Sequence, residues 1–147
     1  MALDTQFDEL TRIGLFAALE PEALRELIFG AETRLLRAGD VLYRRGEAAD
    51  GGYLLATGSI ALEAQEPGAP AAKILRPLAL LGETALVAAT TRPVTALARE
   101  PSTVLKISRT LFHQILEKHP TTAARVRQLF KDRLKQFAQG LEIDAKP

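Results

Sequence analysis

The middle of this chain is cut too finely for any long regular element. Between residues 32 and 108 turn-forming sequences recur every few residues: Ala38-Gly39-Asp40, Arg45-Gly46-Glu47, Asp50-Gly51-Gly52, Thr57-Gly58 and Glu66-Pro67-Gly68-Ala69-Pro70. Glycine reaches backbone conformations closed to other residues, and proline lacks a backbone donor, so each interrupts a helix or a long strand. Between the turns lie short runs rich in Leu, Val and Ile: Val41-Leu42-Tyr43, Tyr53-Leu54-Leu55-Ala56, Ser59-Ile60-Ala61-Leu62, Lys73-Ile74-Leu75, then 94–99 and 103–108. Many short strands at this spacing predict a jelly-roll-like β-barrel or sandwich. Thr57-Gly58 reads as the turn of a hairpin between two of these runs.

Either side of this region the apolar period becomes that of a helix. Residues 4–31 carry Phe7, Leu10, Ile13 and Leu15, and then Leu24, Leu27, Ile28 and Ala31 at i, i+3, i+4, i+7. Pro21 suits the first turn of the second helix, where its missing N–H has no partner to lose. After residue 108, Ser108 is placed to cap a helix with Leu111, Phe112, Ile115 and Leu116 on one face. Pro120 restarts the helix, and Val126, Phe130, Leu134, Phe137 and Leu141 form one apolar stripe. Gly140 weakens the last turn, and the tail Asp144-Ala145-Lys146-Pro147 is expected to fray.

The resulting expectation is mainly β with flanking helices (α+β). One domain covers 1–147: a helical lead-in at 4–31, the β-barrel at 32–108 and C-terminal helices at 109–141. A chain of 147 residues buries about two-thirds of its unfolded surface and needs no staple.

Composition removes several kinds of chemistry. With no cysteine there is no disulfide, no thiol nucleophile and no thiolate metal site. The only histidines, His113 and His119, fall in the predicted C-terminal helices and read as ordinary surface or helix residues. No serine stands in a nucleophile-elbow sequence, so no enzyme is expected. The net charge of +1 argues against nucleic-acid binding by a general field. The acidic N-terminus lacks a signal-peptide pattern, and no apolar stretch spans a bilayer. A cytoplasmic protein without membrane contact is expected.

One segment departs from the strand rhythm. Gly82-Glu83 is followed by Thr84-Ala85-Leu86-Val87-Ala88, which reads as a short helical turn between strands, and Arg92 follows Glu83 by nine residues. A helical turn presents free backbone N–H groups at its start. Around it stand Leu15-Phe16 with Leu19, Gly39-Asp40-Val41-Leu42, Gly46-Glu47 with Asp50, Tyr53 to Gly58, Leu81-Gly82-Glu83-Thr84-Ala85-Leu86, Leu111-Phe112 and Pro120, in that order. This series resembles the cyclic-nucleotide-binding domain family, of the catabolite-activator and protein-kinase-regulatory-subunit type, from about Leu15 to Leu134.

The resemblance implies a ligand, cyclic AMP or cyclic GMP, with no resident cofactor and no metal. The implied ligand residues are Gly82, Glu83, Thr84, Ala85, Arg92, Pro93 and Thr95. The chemistry fits those roles. A guanidinium offers a planar fork of donors to two phosphate oxygens, which assigns the anion to Arg92. The family analogy adds the backbone N–H of Ala85. Gly82 lets the backbone come close to a ligand. Glu83, acceptor-only when ionised, can take a ribose 2′-hydroxyl hydrogen. A Glu83–Arg92 ion pair that merely holds the sheet is the plainer alternative. Thr90, Thr91 and Thr95 read as solvated loop or strand positions.

Several positions depart from the family pattern. Leu81 replaces a usual Phe, Thr84 an apolar residue, Thr91 a Pro, and Leu78-Ala79 a Gly-Asp. Pro93 replaces a small residue whose N–H supports the phosphate, and proline has no N–H. A lost hydrogen bond to a charged group costs about 1.5–3 kcal/mol, about tenfold to a hundredfold in affinity.

Two functions follow. One is a stand-alone cyclic-nucleotide sensory module that signals through its C-terminal helix. The alternative is a degenerate member of the fold that serves protein interaction or dimerisation without nucleotide. The last helix carries Arg125, Arg127, Lys131, Arg133 and Lys135 against Asp132. A solvated face is the default for such a run, and a homodimer or a partner protein is the expected contact. DNA binding of the catabolite-activator kind is not expected, because too few residues follow the helix for a helix-turn-helix.

Overall fold

The computed structural model describes residues 7–63 and 73–138, with side chains to residue 136 in the last helix. The expected loop at 66–70, the stripe residues Phe137 and Leu141, Gly140 and the tail at 144–147 lie outside the described side chains or residues.

The N-terminal helical expectation resolves into three pieces. Residues 7–10 are helical, Gly14–Ala18 is a 3₁₀ turn, and α1 spans Pro21–Gly30. Pro21 opens α1 from an extended Glu20. Ala23, Leu24 and Leu27 are fully buried, Ile28 and Ala31 pack against the same cluster, and Phe29 on the far face is 94% exposed.

Among the described residues ten strands follow: β1 (Glu32–Leu36), β2 (Val41–Tyr43), β3 (Ala48–Ala49), β4 (Gly51–Thr57), β5 (Ile60–Leu62), β6 (Lys73–Leu75), β7 (Ala79–Leu81), β8 (Thr90–Thr91), β9 (Ala96–Ala98) and β10 (Ser102–Ser108). They form three antiparallel sheets, ordered β1-β10-β4-β7, β2-β9-β5-β6 and β3-β8. The expected run at 94–99 contracts to the three residues of β9. Strands β1, β3, β7 and β8 are not among the predicted runs; the last three have only two or three residues without alternation and carry no period to read.

The expected mainly-β, jelly-roll-like barrel or sandwich is corrected here. Among the described residues no sheet closes into a barrel: the first ends at β1 and β7, the second at β2 and β6. A barrel needs every edge paired, and edge strands of three residues such as β2, β6 and β7 cannot carry a continuous ladder between the sheets. Helical residues outnumber strand residues among those described, so the chain is a mixed α and β domain with helices at both ends. The expected hairpin at Thr57-Gly58 is also corrected. Strand β4 pairs with β10 and β7, β5 with β6 and β9, and the two do not pair with each other. Gly58 at φ +92° carries the chain from one sheet to the other. The Ser59 N–H donates to Ser102 Oγ at 3.1 Å and fixes that corner.

Alternation along β4 and β10 divides the core into two clusters. Leu54 and Ile107 face the helices, with Leu15, Phe16, Leu24, Leu27, Phe112 and Ile115. Tyr53, Leu55 and Val104 face the second sheet, with Ile60, Leu62, Ala96 and Ala98. The first sheet is thereby covered on both sides, which explains the unbroken apolar sequence of β4.

Two helices follow, α2 (Arg109–Lys118) and α3 (Pro120–Ala138). Ser108 Oγ accepts the Leu111 N–H at 3.0 Å, as its position predicts. Phe112 and Ile115 are buried and Leu111 and Leu116 pack beside them. Along α3 the apolar stripe only partly covers the core. Val126 is buried and Phe130 packs against the cluster, whereas Leu134 is 70% exposed.

Candidate functional site

The segment from β7 to β9 builds the site. Gly82 ends β7 at φ +74°, a left-handed conformation that costs any other residue about 1–2 kcal/mol. A Cβ there would strike Arg92 Nη1, so glycine is required both for the turn and for the guanidinium beside it. The chain then makes the expected helical turn, a 3₁₀ turn at Glu83–Leu86. The Ala85 N–H donates back to Gly82 O at 3.0 Å, so that donor is committed within the turn.

The ribbon β3-β8 faces this turn. Ala48 pairs with Thr91 and Ala49 with Thr90. Arg92 follows directly, its N–H donating to Glu47 O at 2.9 Å and its carbonyl accepting from Gly46 N–H at 2.8 Å. A cavity of about 170 Å³ opens between these parts, lined by Tyr43, Ala49, Gly82, Thr84, Ala85, Thr90, Thr91, Arg92 and Pro93.

Arg92 dominates this cavity. It is 5% exposed, yet among the described residues its guanidinium takes part in no hydrogen bond or ion pair. It lies instead over two aromatic rings, 4.5 Å from the Tyr43 centroid and 5.6 Å from that of Tyr53. Such faces hold a cation without neutralising it. Burial pushes the Tyr43 phenol up to about 12, against the opposing pull of the Arg92 charge. Asp50 also senses that charge. Burial works against its ionised form, but Lys106 Nζ at 3.4 Å, with help from Arg92, holds its carboxyl below the usual value.

Five of the seven residues expected from sequence therefore meet at one cavity: Gly82, Thr84, Ala85, Arg92 and Pro93. Thr95 lies off it, its hydroxyl accepting the Arg45 N–H at 2.9 Å. Glu83 is buried nearby and pairs elsewhere. Its Oε2 accepts the Leu15 N–H at 2.7 Å, and its Oε1 pairs with Arg133 of α3. A Cβ at Gly14 would collide with the same carboxylate, so the positive φ of Gly14 lets the 3₁₀ turn close over it. The contemplated Glu83–Arg92 pair does not form.

Sequence reasoning missed Ala49, Thr90 and Thr91 in the cavity lining, and three further residues. Tyr43 lines the cavity although it reads only as a strand residue. Arg109 Nη1 donates to the carbonyls of Ala49 (3.0 Å), Ala85 (3.1 Å) and Ala88 (3.1 Å), tying the cavity wall to the start of α2. Arg133 was one of a basic group, and it alone of that group turns to Glu83. Arg125, Arg127, Lys131 and Lys135 are exposed as expected. The histidines differ from one another: His113 is exposed, while His119 Nε2 lies 3.2 Å from Glu26 Oε2. Among the described residues no group of three or more His, Asp or Glu is placed to hold a metal ion. No described helix is long and apolar enough to cross a membrane.

Comparisons with known proteins bear on the family and the fold. A cyclic nucleotide-binding-like protein from Brucella abortus shares 42% identity, over 77% of this chain and 98% of that one, with a TM-score of 0.70. The N-terminal domain of a transcriptional regulator from Streptomyces coelicolor A3(2) superposes with a TM-score of 0.81 at 25% identity, over 92% of this chain and 96% of that one. Lysophospholipase nte1 of Aspergillus fumigatus is 26% identical over 132 residues, 88% of this chain. The chain spans only 9% of the length of that curated relative. Residues 33–119, from β1 through the last residue before α3, match the cyclic nucleotide-binding domain. With the cavity and its buried arginine inside the matched residues, the chain belongs to the cyclic nucleotide-binding domain family.

Proposed function

We propose that this regulatory module binds a cyclic nucleotide of the cyclic AMP type and passes the signal through α3. The observation that carries the reading is Arg92: a buried guanidinium, without a counter-charge among the described residues, facing a cavity. A buried charge is costly unless it is paired. A cyclic phosphodiester supplies one negative charge and two oxygens in the geometry of the guanidinium fork. Gly82, Thr84, Ala85 and Pro93 form the walls.

The route to α3 runs through Glu83. Its carboxylate, next to the cavity-lining Gly82 and Thr84, is the acceptor we assign to a ribose hydroxyl, and in this structure it is held by Leu15 and Arg133. A ligand that draws on Glu83 weakens its hold on Arg133, and so biases α3 between a docked and a released position. The lead-in, the sheets and the terminal helices then act as one sensory unit. A homodimer or partner protein would read the outer part of α3, where Leu134 is exposed. The role is one of binding, not catalysis.

Calorimetry with cyclic AMP and cyclic GMP tests the reading. Saturable binding that Arg92→Ala abolishes is expected. No heat at millimolar nucleotide, or an Arg92→Ala variant with unchanged affinity, would overturn it.

A second reading has its own support. Pro93 offers no N–H to an anion, and Glu83 already has partners. A module that keeps the fold for protein contact alone would have these features. It predicts a dimer or a partner complex whose stability is indifferent to added cyclic nucleotide.

A further inference from the structure

The Tyr43 hydroxyl stands out because it is buried and has no partner. It is the sole buried side-chain polar atom without a hydrogen bond among the described residues. Leaving such a group unsatisfied costs about 1–3 kcal/mol, and phenylalanine would fill the same place in β2 without that cost. Tyr43 is 5% exposed and lines the cavity whose guanidinium lies over its ring.

The cavity is also short of backbone donors near Arg92. Pro93 has none, and the Ala85 N–H is engaged with Gly82 O. An anion seated on the Arg92 fork thus leaves oxygen lone pairs that neither Pro93 nor the Ala85 N–H can satisfy. A phenol is a strong donor to a charged oxygen.

We infer that the Tyr43 hydroxyl is a second anion-binding donor of this cavity, giving a phosphate oxygen the hydrogen bond that Pro93 cannot. The inference rests on the reading that the cavity takes a cyclic phosphodiester. Its geometry is favourable on two further counts. The ring is buried and packs against the Arg92 guanidinium, with the Tyr53 ring centroid 6.1 Å away, so the donor is positioned before a ligand arrives. The charged groups around it are Arg92 and, farther off, Asp50, whose charge is already engaged by Lys106. The phenol therefore stays protonated across the neutral range, as a donor must.

The test is a cycle of variants with cyclic AMP as the probe, read by calorimetry, with thermal melting of the free protein. Tyr43→Phe is expected to lower affinity about tenfold, and to leave the free protein as stable as before or more so. Pro93→Ala restores an N–H at the neighbouring position. In the Tyr43→Phe background it is expected to recover most of the lost affinity, and in the wild-type background to add little. Wild-type and Tyr43→Phe proteins that bind cyclic AMP equally would overturn the inference and leave the reading of the site intact. So would a loss of affinity in Tyr43→Phe that comes with a lower melting temperature and is not rescued by Pro93→Ala, since that marks a packing role. A wild-type protein that binds no cyclic nucleotide fails one step earlier, at the reading of the site, before any variant is made.

Discussion

Glu83 and Arg133 form an ion pair between the 3₁₀ turn that walls the cavity and helix α3, fifty residues apart in sequence. The pair is mostly shielded from water, and the Leu15 N–H holds the second carboxylate oxygen at 2.7 Å. Three parts of the chain, the N-terminal 3₁₀ turn, the cavity wall and α3, therefore meet on one carboxylate.

Removing the arginine should separate the two functions of that carboxylate. Arg133→Ala leaves Glu83 bound to Leu15 alone, and we expect a loss of about 1–3 kcal/mol in stability from the unsatisfied charged group. Amide exchange should accelerate along α3. Cyclic AMP should bind more tightly, because Glu83 no longer has to be drawn from Arg133. Hydrogen-exchange mass spectrometry and calorimetry on the same preparation check both halves. A variant with weaker nucleotide binding would show that Arg133 supports the site instead of competing for it.

Gly82 should tolerate no side chain. Gly82→Ala combines left-handed strain of about 1–2 kcal/mol with displacement of the Arg92 guanidinium. Urea denaturation should report a lower midpoint with an unchanged slope, and nucleotide affinity should fall with it. Gly39→Ala is the control. It has a positive φ as well, but nothing lies within 4 Å of its Cβ position, so it should lose stability without losing affinity.

Acid should loosen the contact between α1 and the α2–α3 junction. Glu26 has its carboxyl held below the usual value of 4.5, chiefly by the hydrogen bond with His119, with Lys118 adding to it. A group whose pKa is lowered by folding contributes stability above its unfolded pKa, and that contribution disappears as pH falls through the folded value. Melting temperature measured from about pH 6 down to about pH 3 should therefore decline more steeply in the wild type than in Glu26→Gln. Parallel curves would mean that the ionised carboxylate adds nothing.

What could be read from the sequence was local. The period of the apolar residues marked both helical ends, Ser108 announced its cap, and Gly82, Glu83 and Arg92 stood out by spacing. What could not be read depends on which strands become neighbours. Gly58 looks the same whether it closes a hairpin or carries the chain to another sheet, and only the pairing of β4 with β7 and β10 decides it. Likewise Glu83 could be picked out as a carboxylate of consequence, but its partners come from residues 15 and 133, and no local pattern links those positions. Arg133 was indistinguishable from four other cations of its helix until α3 packed against the 3₁₀ turn at Gly14–Ala18.

Arg109 offers the strongest test of how the cavity is held open. One nitrogen of its guanidinium bonds the carbonyls of Ala49, Ala85 and Ala88, two of them from residues that line the cavity. The Arg109 N–H also donates to Asp50 O at 2.7 Å, which fixes its backbone against the end of β3. Arg109→Ala keeps that backbone bond and deletes the other three at once. Because charge-assisted bonds are worth about 1.5–3 kcal/mol singly and do not add when shared by one nitrogen, a total loss of about 2–3 kcal/mol is expected. Arg109→Lys should recover part of the stability, since an ammonium can reach a carbonyl but lacks the planar fork. Cyclic AMP affinity should fall in both variants although neither touches the ligand, and the fall should be larger in Arg109→Ala. Equilibrium denaturation paired with calorimetry decides it: an Arg109→Ala protein that is destabilised but binds as tightly as the wild type would show that the cavity wall keeps its shape without this arginine.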